Sequence, residues 1–73
     1  MLLKGQYYRL SSATFGIRSS DGQRTPIKLT AGTVFKIIEE STDGSGFVDV
    51  LWEDKLVTMF LQDIMNRGER IEG

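Results

Sequence analysis

Residues 46–60 constrain the fold more than any other part of this 73-residue chain. They contain two short runs rich in β-branched and aromatic residues, Phe47–Trp52 and Lys55–Phe60, separated only by Glu53-Asp54. Two such runs joined by two residues are typical of a β-hairpin. The stretch therefore predicts an antiparallel sheet, and it contains no recognisable catalytic group.

Most of the remaining chain also reads as short strands between turn residues. Asp21-Gly22 predicts a second hairpin, because this pair accommodates the positive φ of a tight reversal. Pro26 lacks a backbone N–H and therefore belongs on an edge strand or at a strand start. The runs predicted as strands are residues 6–10, 14–18, 24–29 and 33–40, together with a final short strand at 69–72.

A helical turn precedes the last predicted strand. Leu61–Arg67 has the length of one or two helical turns, and Gly68 follows where a left-handed C-terminal cap is usual. The first three runs form a hairpin-like arm, and three antiparallel strands, the helical turn and the last short strand follow it. This order resembles the SH3-like barrel, whose closed strands leave few exposed edges. We therefore predict an all-β fold, a small SH3-like barrel of about five antiparallel strands with one helical turn near residues 61–67, forming a single domain over residues 1–73.

Composition argues against bond-making chemistry. The chain has no Cys and no His, so disulfides, the usual transition-metal ligands and a nucleophilic triad are excluded. A Ca²⁺ or Mg²⁺ site made only of carboxylates remains open. The acidic residues Asp49, Glu53, Asp54 and Asp63 are interpreted as turn formers and solvated charges rather than an acid–base pair. No catalytic, cofactor or metal residue is predicted.

Charge and hydropathy limit the classes of partner that the chain is expected to bind. Nine basic and ten acidic residues give a net charge of −1, whereas nucleic-acid binders usually have a basic excess, so nucleic acid is not the expected partner. A weaker alternative has Arg18, Arg24 and Lys28 contacting a nucleic-acid backbone beside Tyr8. No apolar run approaches the roughly 20 residues needed to cross a bilayer, and residues 1–4 are too short for a signal segment. A cytoplasmic protein is expected.

The central strands are apolar on both sides, whereas a half-buried antiparallel strand is apolar on one side only. One side supplies the expected core, formed by Phe35, Ile37, Val48, Val50, Trp52, Val57 and Met59. Two explanations for the other side remain open: the chain's own arm and helical turn cover it, or a subunit or partner interface buries it. Lys36, Asp49 and Thr58 would then be polar insertions that fix the register. We call the second side the outer face, formed by Val34, Ile38, Phe47, Leu51, Leu56 and Phe60.

Three aromatic residues, Tyr7, Tyr8 and Trp52, are of the kind that SH3 domains use to bind proline-rich peptides. The peptide-binding family has an Ala-Leu-Tyr-Asp-Tyr motif and a Trp opening its third strand. This chain has Gln6-Tyr-Tyr-Arg9 instead, and its Trp ends a strand. We therefore predict that Trp52 belongs to the core.

Several segments resemble a family of short uncharacterised bacterial proteins. The shared pattern comprises a Tyr-Arg-Leu start, an Ala-Gly turn, Val-Asp-Val-x-Trp-Glu, Val-x-Met-Phe and an Arg-Gly-Glu ending. It is found here as Tyr8-Arg-Leu10, Ala31-Gly32, Val48-Asp-Val-Leu-Trp-Glu53, Val57-Thr-Met-Phe60 and Arg67-Gly-Glu69. The resemblance implies a bacterial origin, one common fold and no particular activity. Such short proteins are often carried on mobile gene cassettes.

Ser12-Ala-Thr-Phe-Gly16 is similar to a segment of the plasmid-type dihydrofolate reductases, SH3-like barrels that build one active pore from four chains. Val57-Thr-Met-Phe60 stands where that family has Val-Gln-Ile-Tyr, so Thr58 and Phe60 replace its ligand-binding Gln and Tyr. The resemblance implies that such a barrel can work as an oligomer.

The functional expectation is a non-enzymatic binding or assembly module without a cofactor. Its partner would be a second copy or another protein, reached through the outer face. The alternative is an oligomeric small-molecule binder or enzyme whose site forms between subunits. The third possibility is the nucleic-acid accessory protein described above.

Overall fold

The computed structural model describes residues 2–72, so the two end positions of the predicted domain, 1 and 73, lie outside the described residues. The predicted all-β class is confirmed, and every predicted strand is present within two residues of its expected bounds. Within the described range the elements are β1 (Tyr7–Leu10), β2 (Thr14–Ser20), β3 (Gln23–Leu29), β4 (Val34–Glu40), β5 (Phe47–Trp52), β6 (Lys55–Phe60), α1 (Leu61–Arg67) and β7 (Gly68–Ile71).

The strands form one antiparallel sheet in the order β3-β2-β6-β5-β4-β1-β7. The predicted number of about five strands is wrong, because the first 29 residues form three full strands that join the sheet at different places. The predicted closure is also absent, since β3 and β7 each pair with one neighbour only. Pro26 lies on the edge strand β3, as its missing N–H requires.

Two tight hairpins organise the sheet, both at the predicted positions. Asp21 and Gly22 have φ values of 51° and 78°, and Glu53 and Asp54 have φ values of 50° and 64°. Positive φ at both central residues is the requirement of a type I′ turn, whose twist matches that of the flanking strands. Each two-residue loop therefore determines the register of the strands that it joins.

The predicted core side of the sheet is confirmed. Six of its seven residues on β4, β5 and β6 are at most 2% exposed, namely Phe35, Ile37, Val48, Val50, Val57 and Met59, whereas Trp52 is half-buried. Leu2, Leu10 and Leu29 extend this core, and α1 contributes Ile64. Within residues 2–72 no helix has the length and apolar character needed to span a bilayer.

The predicted left-handed cap at Gly68 is wrong. This glycine is extended, with φ −104° and ψ 152°, and its N–H donates to the carbonyl of Ile64. A Cβ at this position would lie 2.6 Å from the Ile64 oxygen. A glycine is required here because the helix end passes directly into β7, which leaves no room for a side chain.

Gly16 lies on β2 and offers a test of how tightly the β2–β3 hairpin packs on the core. A Cβ there would lie 2.6 Å from Cγ1 of the buried Val57. We expect Gly16→Ala to lower the free energy of unfolding by about 1–3 kcal/mol through overpacking, measured by urea denaturation. Ser19→Ala, at an exposed position of the same strand, should change it by less than about 0.5 kcal/mol. Equal stability of the two variants would contradict this packing.

Candidate functional site

The β5–β6 hairpin places three pairs of side chains on the side away from the core. Phe47 lies opposite Phe60 and Leu51 opposite Leu56, with a polar pair between them. Residues directly opposite each other in an antiparallel pair point to the same face. The two aromatic rings are in contact, with centroids 5.2 Å apart. These four predicted residues therefore lie on one face, as two apolar pairs on either side of the polar pair.

Strand β4 adds the remaining two members of the outer face. Lys36 lies opposite Leu51, and Val34 is two residues away on the same strand. The register shifts between Ile37 and Glu39, so Ile38 is the extra residue of a β-bulge. The structure thus brings five of the six predicted residues to one side of the sheet, and Ile38 is half-buried at the bulge next to them.

Half of these residues are substantially exposed. Val34 is 42% exposed, Phe60 47% and Leu56 49%, while Ile38, Phe47 and Leu51 are half-buried. The chain itself therefore covers part of this surface and leaves Val34, Leu56 and Phe60 substantially uncovered. An apolar surface that spans several strands is typical of an interaction site.

Strand β2 extends the outer face with two residues that the sequence analysis did not include. Ile17 lies opposite Thr58, and Phe15, two positions away on the same strand, therefore points to the same side. Phe15 is 63% exposed. The alternation of Phe15 and Ile17 was visible in the sequence, but the pairing of β2 with β6 was not.

Polar groups interrupt this surface at its centre. The hydroxyl of Thr58 donates to Oδ1 of Asp49 at 2.9 Å in a partly buried hydrogen bond. Lys36 is half-buried on the adjacent strand. These are the three polar insertions expected from the sequence, and the bond joins the middle of β5 to the middle of β6.

The aromatic residues do not form a single peptide groove. Tyr7 and Tyr8 are consecutive on β1 and therefore point to opposite faces. The ring of Tyr8 stacks on the buried Phe35, with centroids 6.2 Å apart. Trp52 packs against the core, as predicted, and Nζ of Lys55 lies 5.2 Å from its ring centroid.

The three cations considered as a nucleic-acid contact lie on other strands than Tyr8, which was predicted to lie beside them. Arg18, Arg24 and Lys28 are on the β2–β3 hairpin, whereas Tyr8 is on β1, and three strands separate β2 from β1 in the sheet. The structure therefore does not bring these four residues together on neighbouring strands.

The predicted acidic residues are likewise dispersed. Glu53 and Asp54 form the turn between β5 and β6, as expected of turn formers. Asp63 lies 3.9 Å from Nε of Arg67, one helical turn later. Among residues 2–72, no three side chains of the metal-binding types are grouped so that they could hold an ion.

The loop that leads into β5 is organised by a serine–aspartate network. The Ser41 hydroxyl and the Ser45 N–H, the latter at 2.8 Å, both donate to Oδ1 of Asp43. Chiefly through the Ser41 hydroxyl, these bonds lower the pKa of the exposed Asp43 from 3.8 to about 2. The Ser45 hydroxyl in turn accepts from the N–H of Phe47 at 3.3 Å. The network therefore positions the first residue of β5, an outer-face residue.

Comparisons with known proteins assign no family to the chain. No protein family, curated protein or solved structure matches it. The resemblances to short bacterial proteins and to plasmid-type dihydrofolate reductases therefore stay predictions.

The pKa of Asp43 gives a test of the loop network. A lowered carboxyl pKa favours the ordered loop above pH 3.8, and this preference is lost as the pH falls toward 2. We expect Ser41→Ala to return the pKa toward 3.8, as followed by carboxyl ¹³C NMR titration. Thr42→Ala, in the same loop, should leave it unchanged. An unaltered titration in Ser41→Ala would show that the network does not form in solution.

Proposed function

We propose that this chain is a non-enzymatic assembly module whose open sheet has an SH3-like strand order and which self-associates through its outer face. One observation carries the proposal: apolar side chains from four strands form a partly exposed surface on the side of the sheet opposite the core. No catalytic constellation is required for such a module. Its activity is to bring copies of the chain, and whatever they are attached to, into a defined arrangement.

The strand order supports the SH3-like part of the proposal. Without the β2–β3 hairpin, five strands remain in the order β7-β1-β4-β5-β6, with α1 between β6 and β7. A five-stranded antiparallel arrangement with a helical turn before its last strand is the order expected for an SH3-like barrel. The β2–β3 hairpin is then an insertion between β1 and β4 in the chain. Its strand β2 pairs with β6, at the other end of the five-strand order.

The free energy gained by burying apolar side chains supports a role for a second copy of the chain. A chain of this length buries only about 60% of its unfolded surface, so a single core is marginally stable. Burying one Leu or Phe side chain that is otherwise exposed contributes about 1.5–3 kcal/mol. Because the largest exposed apolar residues of the sheet share one face, pairing two such faces adds stability without changing either core.

We expect the wild-type chain to be a dimer or larger species at micromolar concentration in light scattering with size-exclusion chromatography. Leu51→Glu and Leu56→Glu each place a charge in the middle of the outer face. Each should weaken association by at least about tenfold, which corresponds to about 1.4 kcal/mol.

Leu3→Glu is the matched control, because Leu3 is 59% exposed and lies outside the sheet strands. The same chemical change there should leave the mass unchanged. Circular dichroism should show that all three variants remain folded. A wild-type monomer, or a dimer that survives both outer-face variants, would contradict the proposal.

A further inference from the structure

Most charged side chains of the central strands already have a partner within the chain. On β4, Glu39 pairs with Nζ of Lys4 at 3.7 Å, and Glu40 accepts from the N–H of Leu2 at 3.1 Å. On β6, Lys55 lies 3.9 Å from the carboxylate of the turn residue Glu53.

Three charged residues of these strands have no counter-ion among residues 2–72: Lys36, Glu40 and Asp49. Glu40 lies opposite the core residue Val48, so only Lys36 and Asp49 belong to the side of the outer face. Asp49 accepts from the neutral hydroxyl of Thr58, a bond that leaves its charge uncompensated. Lys36 and Asp49 are both half-buried and lie within the outer face. Burying either of them in an interface would be costly unless a group of opposite charge met it there.

Their positions are complementary to each other. Lys36 lies directly opposite Leu51, and Asp49 is two residues from Leu51 on the neighbouring strand. The two charges are thus diagonal neighbours on either side of one apolar side chain. In a two-fold dimer, if one residue contacts a second on the partner, the second contacts the first in return. Lys36 and Asp49 satisfy this condition, whereas Glu39, which lies directly opposite Asp49, is already paired with Lys4.

We infer that, if the chain self-associates as proposed, its partner is a second identical copy docked by two-fold symmetry. Lys36 of each copy then pairs with Asp49 of the other. The axis passes between these two residues, beside Leu51, so that apolar side chains surround both ion pairs. This arrangement specifies which molecule covers the outer face and how that molecule is oriented.

The sheet edges favour this face-to-face arrangement over strand addition. The edge strand β3 contains Pro26, which has no N–H to offer, and Arg24 and Lys28 on either side of it. Proline and cations on an edge oppose the addition of another strand. The other edge, β7, is only four residues long.

Charge reversal tests the pairing. Asp49→Lys alone brings two lysines together across the axis, and Lys36→Glu alone brings two carboxylates together. Two-fold symmetry makes each like-charge contact occur twice in the dimer. We expect each contact to raise the dissociation constant about tenfold, so each variant should raise it by about a hundredfold. An equimolar mixture of the two variants restores opposite charges at both contacts. We therefore expect the mixture to form a heterodimer of near wild-type affinity, measured by analytical ultracentrifugation with one variant labelled.

Three further variants make the result specific. The double variant Lys36→Glu/Asp49→Lys should dimerise with itself, and Arg24→Glu and Glu72→Lys, outside the outer face, should not alter association. If Lys36 and Asp49 paired within one chain, the double variant would recover but the mixture would not, and the inference would be overturned. Far-UV circular dichroism on each single variant, together with recovery in the mixture, excludes misfolding as the cause of dissociation.

The outcomes also separate this inference from the proposed function. A monomeric wild-type chain would contradict self-association itself. A wild-type dimer that both single charge reversals leave intact would retain the proposed function but overturn the Lys36–Asp49 pairing.

Discussion

The register of the β5–β6 hairpin is the constraint on which the rest of the structure depends. Side chains alternate along a strand, so a slip of one residue would exchange the core side and the outer face of β5. In most half-buried strands the hydrophobic pattern opposes such a slip. Here both sides are apolar, so that pattern specifies the register only weakly.

Two local features specify the register of β5 and β6 where the hydrophobic pattern does not. The type I′ turn at Glu53-Asp54 sets Trp52 opposite Lys55, and every later pair follows from that start. The hydrogen bond from Thr58 to Asp49 requires the same alignment three pairs further along. A slipped register would leave this carboxylate facing the core, where an unpaired charge is strongly unfavourable. The polar pair therefore contributes to the uniqueness of the fold, apart from any part it has in binding.

Local sequence signals predicted most of the individual elements. The two hairpins, the central strands, the helix and the core side of the sheet follow from turn residues and period-two alternation, both of which act over a few residues. The number of strands in the sheet and its openness did not follow, because they depend on pairings between distant segments. The pairing of Ile17 with Thr58 is one example, and through it Phe15 was missed as an outer-face residue.

Gly68 shows the same limit at the scale of one residue. A glycine after a helix predicts a left-handed cap, yet the constraint here is the distance to the carbonyl of Ile64. Sequence alone cannot distinguish a glycine needed for its φ from one needed for its size, because the second depends on what packs nearby.

A sheet with two apolar sides connects stability to assembly. The side that holds Val48 and Val50 is buried within the chain, while the opposite side can be buried only by something else. In the proposed assembly the edges oppose strand addition, so a second copy would lie on the face itself. On that face the polar residues limit how a partner can lie, since any docking that buries Asp49 must also bring it a cation. Apolar area would then supply the affinity, and the two charges would supply the orientation.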